Sequence, residues 1–229
     1  MVASGECAPR QGLPWRRPEI VVRSCRARNG ANTLSYDGSG GSTVLTSKAT
    51  QGEHDGLDDW ASRIATITAE TSIGMDGSFT ERCIGSLLRV VREQLNLEVV
   101  FVGEFVDQNR VFRQISAKAL EAIIRPGDFH PLTESICQRI VDGRMPCLVP
   151  DVKRVRVANG LPDYYEALGA HIGVPVRFSD GSLYGVLCGF SFEPRDDLDE
   201  RDVRRMEMAA QATARLLAQA DGRDVTRTV

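Results

Sequence analysis

The runs HIGVPVRF (171–178), SDG (179–181) and SLYGVLCGFSF (182–192) decide the fold. Ile172, Val174, Val176 and Phe178 alternate with His171, Gly173, Pro175 and Arg177. That is the period of a strand with two unlike faces. Ser179-Asp180-Gly181 turns the chain back, so 171–192 reads as a β-hairpin. Pro175 has no N–H to donate, which places it at a sheet edge or a bulge. His171 falls on the Gly173/Pro175/Arg177 face, and Cys188 shares a face with Val186 and Phe190 as apolar core filling.

A second hairpin lies upstream. LEVVFVGEF (97–105) has strand composition, Asp107-Gln108-Asn109 is a turn, and VFRQI (111–115) alternates. Helical stripes flank the two hairpins. Trp60, Ile64 and Ile67 mark a short helix over 57–71. Ile84, Leu87, Leu88, Val91 and Leu95 mark a second from Ser78, where Ser78 and Glu81 form a capping box. Leu132, Ile136 and Ile140 give a third, ended by Gly143. PCLVP (146–150) reads as a short strand, and Asp151 caps a broken helix over 152–169. Asp199 caps the last helix, whose stripe is Val203, Met206, Ala210, Thr213 and Leu217. Residues 116–124 fit a short helix or irregular strand, and 125–128 a loop. The order predicts an α+β fold: a central, mainly antiparallel sheet with helices on both faces.

The chain has 229 residues, 42% hydrophobic and 26% charged, enough to bury a core. The net charge of -3 is uneven. Residues 1–50 hold seven bases and three acids, a net of +4; the other 179 hold 21 bases and 28 acids, a net of -7. Residues 1–56 are rich in Gly, Ser, Arg and Asn, with the run SYDGSGGST (35–43), and read as a disordered basic tail. The organisation expected is that tail, a leading helix and linker at 57–77, one domain over 78–220 and a tail at 221–229. An acidic body gives no reason to expect nucleic acid. No run of about 18 apolar residues is present, which excludes a helical membrane span, and no apolar signal segment precedes the domain, so a cytoplasmic location is expected.

The six cysteines (Cys7, Cys25, Cys83, Cys137, Cys147, Cys188) include no C-x-x-C pair, and there are only three histidines. That spacing argues against a structural zinc site, and no metal is expected. No nucleophile elbow, phosphate loop or dinucleotide fingerprint occurs, so no enzyme activity is expected.

Several segments resemble the GAF domain, a small-molecule-sensing module of signalling proteins. They are LEVVFVGEF (97–105), ESICQRIVDGR (134–144), PCLVPD (146–151) and IGVPVRFSDGSLYGVLCGF (172–190). The middle two resemble a bacterial GAF subgroup sometimes joined to EAL cyclic-di-nucleotide phosphodiesterases; no output domain is visible here. The resemblance implies first and last helices on one sheet face, often a dimer bundle, and a ligand pocket on the other, built by 116–170. Cyclic-nucleotide binders of the family carry Asn-Lys, which is absent, and Asp197 stands where they have Glu after Phe192 and Asp196. The Cys-His or Asp-x-Cys-Phe of bilin attachment is absent. Haem would have only His130 or His171 as axial ligand. The cofactor is therefore left unassigned.

Ligand-binding residues expected on this basis are Phe129, His130, Glu134, Cys137, Asp151, Tyr164, Tyr165 and His171. The reading is a regulatory sensor that binds an unidentified small molecule, relays its binding through a homodimer helix interface and acts on a separate output protein. The alternatives are a redox sensor or methionine-sulfoxide-reductase-like enzyme using Cys137 or Cys147, and a dimerisation scaffold that binds nothing.

Overall fold

The computed structural model describes residues 51–69, 77–118 and 124–222. Most of the basic tail and all of 223–229 therefore lie outside the described residues. Helix α1 spans Gln51–Ala69, starting six residues before the helix expected over 57–71. Helix α2 is Gly77–Gln94; it buries Ile84, Leu87, Leu88 and Val91 of the expected stripe together with Thr80 and Cys83, and Leu95 is buried just past its end. It starts one residue early, so Ser78 sits inside the first turn, where its hydroxyl accepts from Arg82. Asn96 ends α2 in the left-handed conformation (φ 49°) that Asn tolerates at a helix terminus. Arg195 donates to the Leu95 and Asn96 carbonyls there.

Strands β1 (Val99–Val106) and β2 (Asn109–Ala117) pair antiparallel around Asp107 and Gln108. Both turn residues have positive φ (47° and 66°), as a two-residue hairpin turn requires. A third strand, β3 (Phe129–Pro131), pairs with the start of β2. Three residues are too few to show alternation, and the sequence pattern did not announce it. A one-turn 3-10 helix, Leu132–Glu134, and the short α3, Ile136–Val141, replace the continuous helix expected over 132–140. Ser135 interrupts it as the N-cap of α3, and Gly143 follows at φ 69°. Strand β4 keeps only Leu148–Val149, α4 is Val152–Val155, and a 3-10 turn covers Asp163–Ala167.

Strands β5 (His171–Arg177) and β6 (Leu183–Phe190) form the hairpin read from the alternation. The sheet is fully antiparallel, in the order β3-β2-β1-β6-β5-β4. Strand β4 pairs only with Ile172 and His171, so β5 is an edge at Pro175, where the missing N–H costs nothing. Helix α5 (Glu200–Ala220) begins with a capping box between Asp199 and Asp202. Its polar stripe member, Thr213, is fully buried and donates to the Ala209 carbonyl.

The period-2 alternation of the strands separates two cores. Val100, Val102, Ile172, Val174, Val176 and Leu187 pack against α1, α2 and α5. Val99, Phe101, Phe112, Val186, Cys188 and Phe190 form the opposite face. There α3, α4 and the 3-10 turn close over the sheet with a third cluster that includes Ile136, Ile140, Val149 and Tyr165. Each fully buried aliphatic side chain contributes roughly 1.5–3 kcal/mol. The helical layer carries most of these residues and fixes the sheet that presents the site. Among the described residues no helix is long and apolar enough to cross a membrane.

Candidate functional site

The site lies on the sheet face away from α1, α2 and α5, and Arg110 is at its centre. Arg110 and Phe112 share the inward parity of β2, and the Arg110 side chain is buried there. Gly103 on β1 makes room for it. A Cβ there would stand 2.9 Å from Arg110 Cγ and 3.1 Å from Cδ. The guanidinium lies over the rings of Phe112 (4.3 Å) and Phe101 (5.3 Å), two cation–π contacts. Its cross-strand partner is His130 of β3, and Arg110 Nη2 lies 3.1 Å from His130 Nδ1. Nη1 donates to Cys137 Sγ at 3.1 Å. No hydrogen bond or ion pair joins Arg110 to a carboxylate among the described residues.

Cys137 sits in the first turn of α3, and Cys188 lies mid-strand in β6, registered against Phe101 and Gly173. Gly173 makes the second opening: a Cβ there would stand 2.6 Å from Cys188 Sγ. The two sulfurs are 3.4 Å apart. Burial, the largest influence, pushes the Cys137 thiol up. Hydrogen bonding to Cys188, the charge of Arg110 and hydrogen bonding to His171 outweigh it and hold Cys137 well below the ordinary thiol value. Cys188 is pushed well above that value, by burial first and then by Cys137. Arg110 is raised: burial is the largest single influence and lowers it, but the charges of Cys137, Tyr165 and Cys188 and the hydrogen bond to Cys137 together outweigh it. Burial, aided by the Arg110 charge, lowers His130 to about 4, so its ring is neutral near pH 7 and can accept from Arg110.

Above these groups is a cavity of about 350 Å³. Phe101, Phe112, Ile124, Leu168 and Phe190 supply apolar walls. Arg110, His130, Glu134, Tyr164, Tyr165 and His171 supply the polar groups. Three buried polar atoms around it lack a hydrogen-bond partner among the described residues: Arg110 Nε, Tyr164 Oη and His171 Nδ1. The roof is stapled by two further arginines. Arg156 pairs with Asp163 and Glu166 beside the two tyrosines, and Arg139 donates to the carbonyls of Ser135, Asn159 and Gly160. Tyr165 accepts from the Ile136 amide at 3.2 Å, while Tyr164 meets His130 edge to face, with ring centroids 5.0 Å apart.

Of the residues expected to bind a ligand, His130, Glu134, Tyr164, Tyr165 and His171 line the cavity. Cys137 lies directly under it, joined to Arg110. Phe129 is 53% exposed and lies outside the lining. Asp151 caps α4, accepting from the Arg154 amide. Arg110 is the residue the sequence reading missed. The available signal was a base on the same strand parity as Phe112.

The Cys137, Cys188 and His171 donor atoms lie within 4.8 Å of one another, a spacing that could hold a soft metal. The Arg110 guanidinium already supplies the positive charge facing Cys137, and a second buried cation beside it would be repelled. The donor set is therefore a poor fit for a resident metal.

This architecture, an antiparallel sheet with a helical layer on one face and a partly open cavity on the other, is an α+β domain. The chain belongs to the GAF domain family, whose model matches residues 80–218. No curated protein matches the chain. Similar solved structures share its fold at low identity. The GAF domain of an Acinetobacter phosphoenolpyruvate-protein phosphotransferase is 15% identical, with TM-score 0.58, over 73% of this chain and 96% of that one. The phycoerythrobilin-bound GAF domain of a cyanobacterial phytochrome is 15% identical, with TM-score 0.55, over 72% and 95%. The free methionine-R-sulfoxide reductase of Neisseria meningitidis, solved with its substrate, is 17% identical, with TM-score 0.51, over 71% and 90%.

Proposed function

We propose that this chain is a regulatory sensor whose cavity takes a small molecule with an apolar body and an anionic group. The observation that carries the reading is Arg110. A guanidinium buried under a cavity, with its Nε unpaired and no carboxylate partner among the described residues, is an anchor for an acid. Tyr164 Oη and His171 Nδ1 offer further polar contacts, and the aromatic walls suit a flat apolar body. A cavity of about 350 Å³ falls within the size range of small-molecule sites. Ligand ordering of the roof would bias the sheet and, through it, α2 and α5. A homodimer pairing those helices in the cytoplasm would carry the change to a separate output protein.

Two measurements test this. Native mass spectrometry of freshly purified protein should show a dimer and a co-purified small mass. A thermal-shift screen of aromatic carboxylates, with benzoate as the first probe, should raise the Tm of the wild type and leave Arg110→Met unchanged. No co-purified mass and no shift with any acid overturns the ligand reading. A monomer at every concentration, with and without probe, overturns the relay.

A further inference from the structure

Beneath the cavity lies chemistry that ligand binding does not use. Cys137 and Cys188 come from different elements, 51 residues apart, yet their sulfurs meet at 3.4 Å in a fully buried setting. Two thiols needed only to fill space gain little from this contact, because sulfur packs equally well against carbon. The asymmetry around the pair is more specific. Arg110 donates to the Cys137 sulfur alone, whereas His171 lies within 4.8 Å of both sulfurs. Cys188 packs with Val186, Phe190 and Phe101, and its sulfur fills the space that the missing side chain of Gly173 leaves. One sulfur is thus set up as a thiolate and the other kept as a thiol.

The geometry points to Cys137 and Cys188 as a hydroperoxide-oxidisable dithiol, with Arg110 as the residue that positions and polarises the Cys137 sulfur. The oxidant is a hydroperoxide, ROOH. The Cys137 sulfur attacks the terminal peroxide oxygen, an S–O bond forms, the O–O bond breaks, and the leaving alkoxide takes a proton to become ROH. The Cys188 sulfur then attacks the sulfenic sulfur of Cys137. An S–S bond forms, the S–O bond breaks, and hydroxide leaves with the Cys188 proton as water. In total, two thiols and ROOH give one disulfide, ROH and H2O, and a small dithiol reverses it. Closing 3.4 Å to an S–S bond of about 2.05 Å needs a movement on the order of 1 Å, within reach of side-chain rotation. The route for the oxidant is the cavity, whose lining includes Arg110 and His171; both sulfurs are fully buried beneath that lining, so a lining side chain has to move to admit it.

The test is intact mass and peptide mapping of the full chain after graded hydrogen peroxide, with and without dithiothreitol. Expected first is the loss of two hydrogens, a peptide joining Cys137 to Cys188, and recovery on reduction. Cys188→Ser should stop at one added oxygen on Cys137. Arg110→Lys and Arg110→Met should slow oxidation on the order of tenfold, as thiolate fraction controls the rate. If Arg110→Met does not fold, Arg110→Lys and Cys188→Ser still decide the matter. The inference is overturned if Cys137 stays reduced while Cys147 or another cysteine oxidises, if Cys188→Ser leaves Cys137 unmodified, or if the native mass shows a bound metal that blocks oxidation. None of these outcomes depends on whether a carboxylate binds the cavity.

Discussion

Arg110 Nη1 lies 3.1 Å from Cys137 Sγ with both side chains buried, and that sulfur is the nearest group able to balance its charge. Two other buried arginines of the same face show what ordinary pairing looks like. Arg156 has the carboxylates of Asp163 and Glu166, and Arg139 has three backbone carbonyls. Those two hold the roof. Arg110 instead faces a thiol, an imidazole and two aromatic rings. An isolated buried charge costs several kcal/mol, so this one is placed for the thiolate, for a ligand acid, or for each in turn.

If the pair is ionic, stability depends on pH with a definite sign. The folded Cys137 thiol titrates below its unfolded value of about 8.5. Its contribution is therefore fully present above pH 8.5 and is lost as pH falls through the folded value. Cys188 is shifted the other way, so its contribution is present below about pH 8.5 and declines above it. The Tm of reduced protein should rise from pH 7 to 8 and fall beyond 9. Arg110→Met should flatten the rise. A parallel slope in the variant means that the guanidinium does not hold the thiolate.

His130 gives a second, separate window. Burial and Arg110 lower it to about 4, whereas the unfolded residue titrates near 6.5. The folded ring refuses a proton that the unfolded chain accepts, so stability is lost as pH falls from 6.5 toward 4. His130→Gln should show a shallower decline in urea midpoint over that range. Equal slopes would place the acid sensitivity elsewhere.

What was legible in the sequence follows from range. The β5–β6 hairpin and the β1–β2 turn are written in consecutive residues, and α2 and α5 in stripes only three or four residues apart. The placement of His130, Tyr164, Tyr165 and His171 followed from segment order and the family resemblance, and they do line one cavity. Strand β3 was invisible because pairing with β2, not its own composition, makes it a strand. Arg110 was invisible for the same reason. Burial of a base depends on partners 20 and 27 residues away, and on a glycine across the sheet.

Gly103 should accordingly matter to the site although it is not part of the cavity lining. In Gly103→Ala the new methyl meets the middle of the Arg110 stem, not its free end. The expected cost is about 1–3 kcal/mol in stability, the range for overpacking. Cys137 should also react more slowly with iodoacetamide at pH 7, because the guanidinium moves off the sulfur. A destabilised protein with unchanged thiol reactivity would separate the glycine from Arg110.

Trp60 tests how α1 is held. It is buried against the α5 layer, and its indole N–H donates to the Arg205 carbonyl at 3.1 Å. Trp60→Phe should cost about 1 kcal/mol for the lost hydrogen bond. Trp60→Ala should cost about 3–5 kcal/mol. Hydrogen exchange should localise the loss to α1 and the facing turns of α5. Unchanged protection of α1 in Trp60→Ala would show that other contacts anchor it.

The last expectation joins the two chemistries of the pocket. Oxidation of Cys137 and Cys188 to a disulfide removes the negative sulfur facing Arg110, while the guanidinium stays buried among Phe101, Phe112 and His130. A buried cation that has lost its anion gains most from a new one. The oxidised protein should bind a carboxylate more tightly than the reduced protein, by on the order of tenfold, about 1.4 kcal/mol. Benzoate titration by calorimetry on both forms measures this, with acetamide as the uncharged control. Tighter binding of benzoate but not of acetamide after oxidation would show that the thiol state sets the charge of the cavity. Equal affinities in the two forms would mean that Arg110 keeps its field whatever Cys137 becomes, and the thiol pair and the ligand site would then be independent.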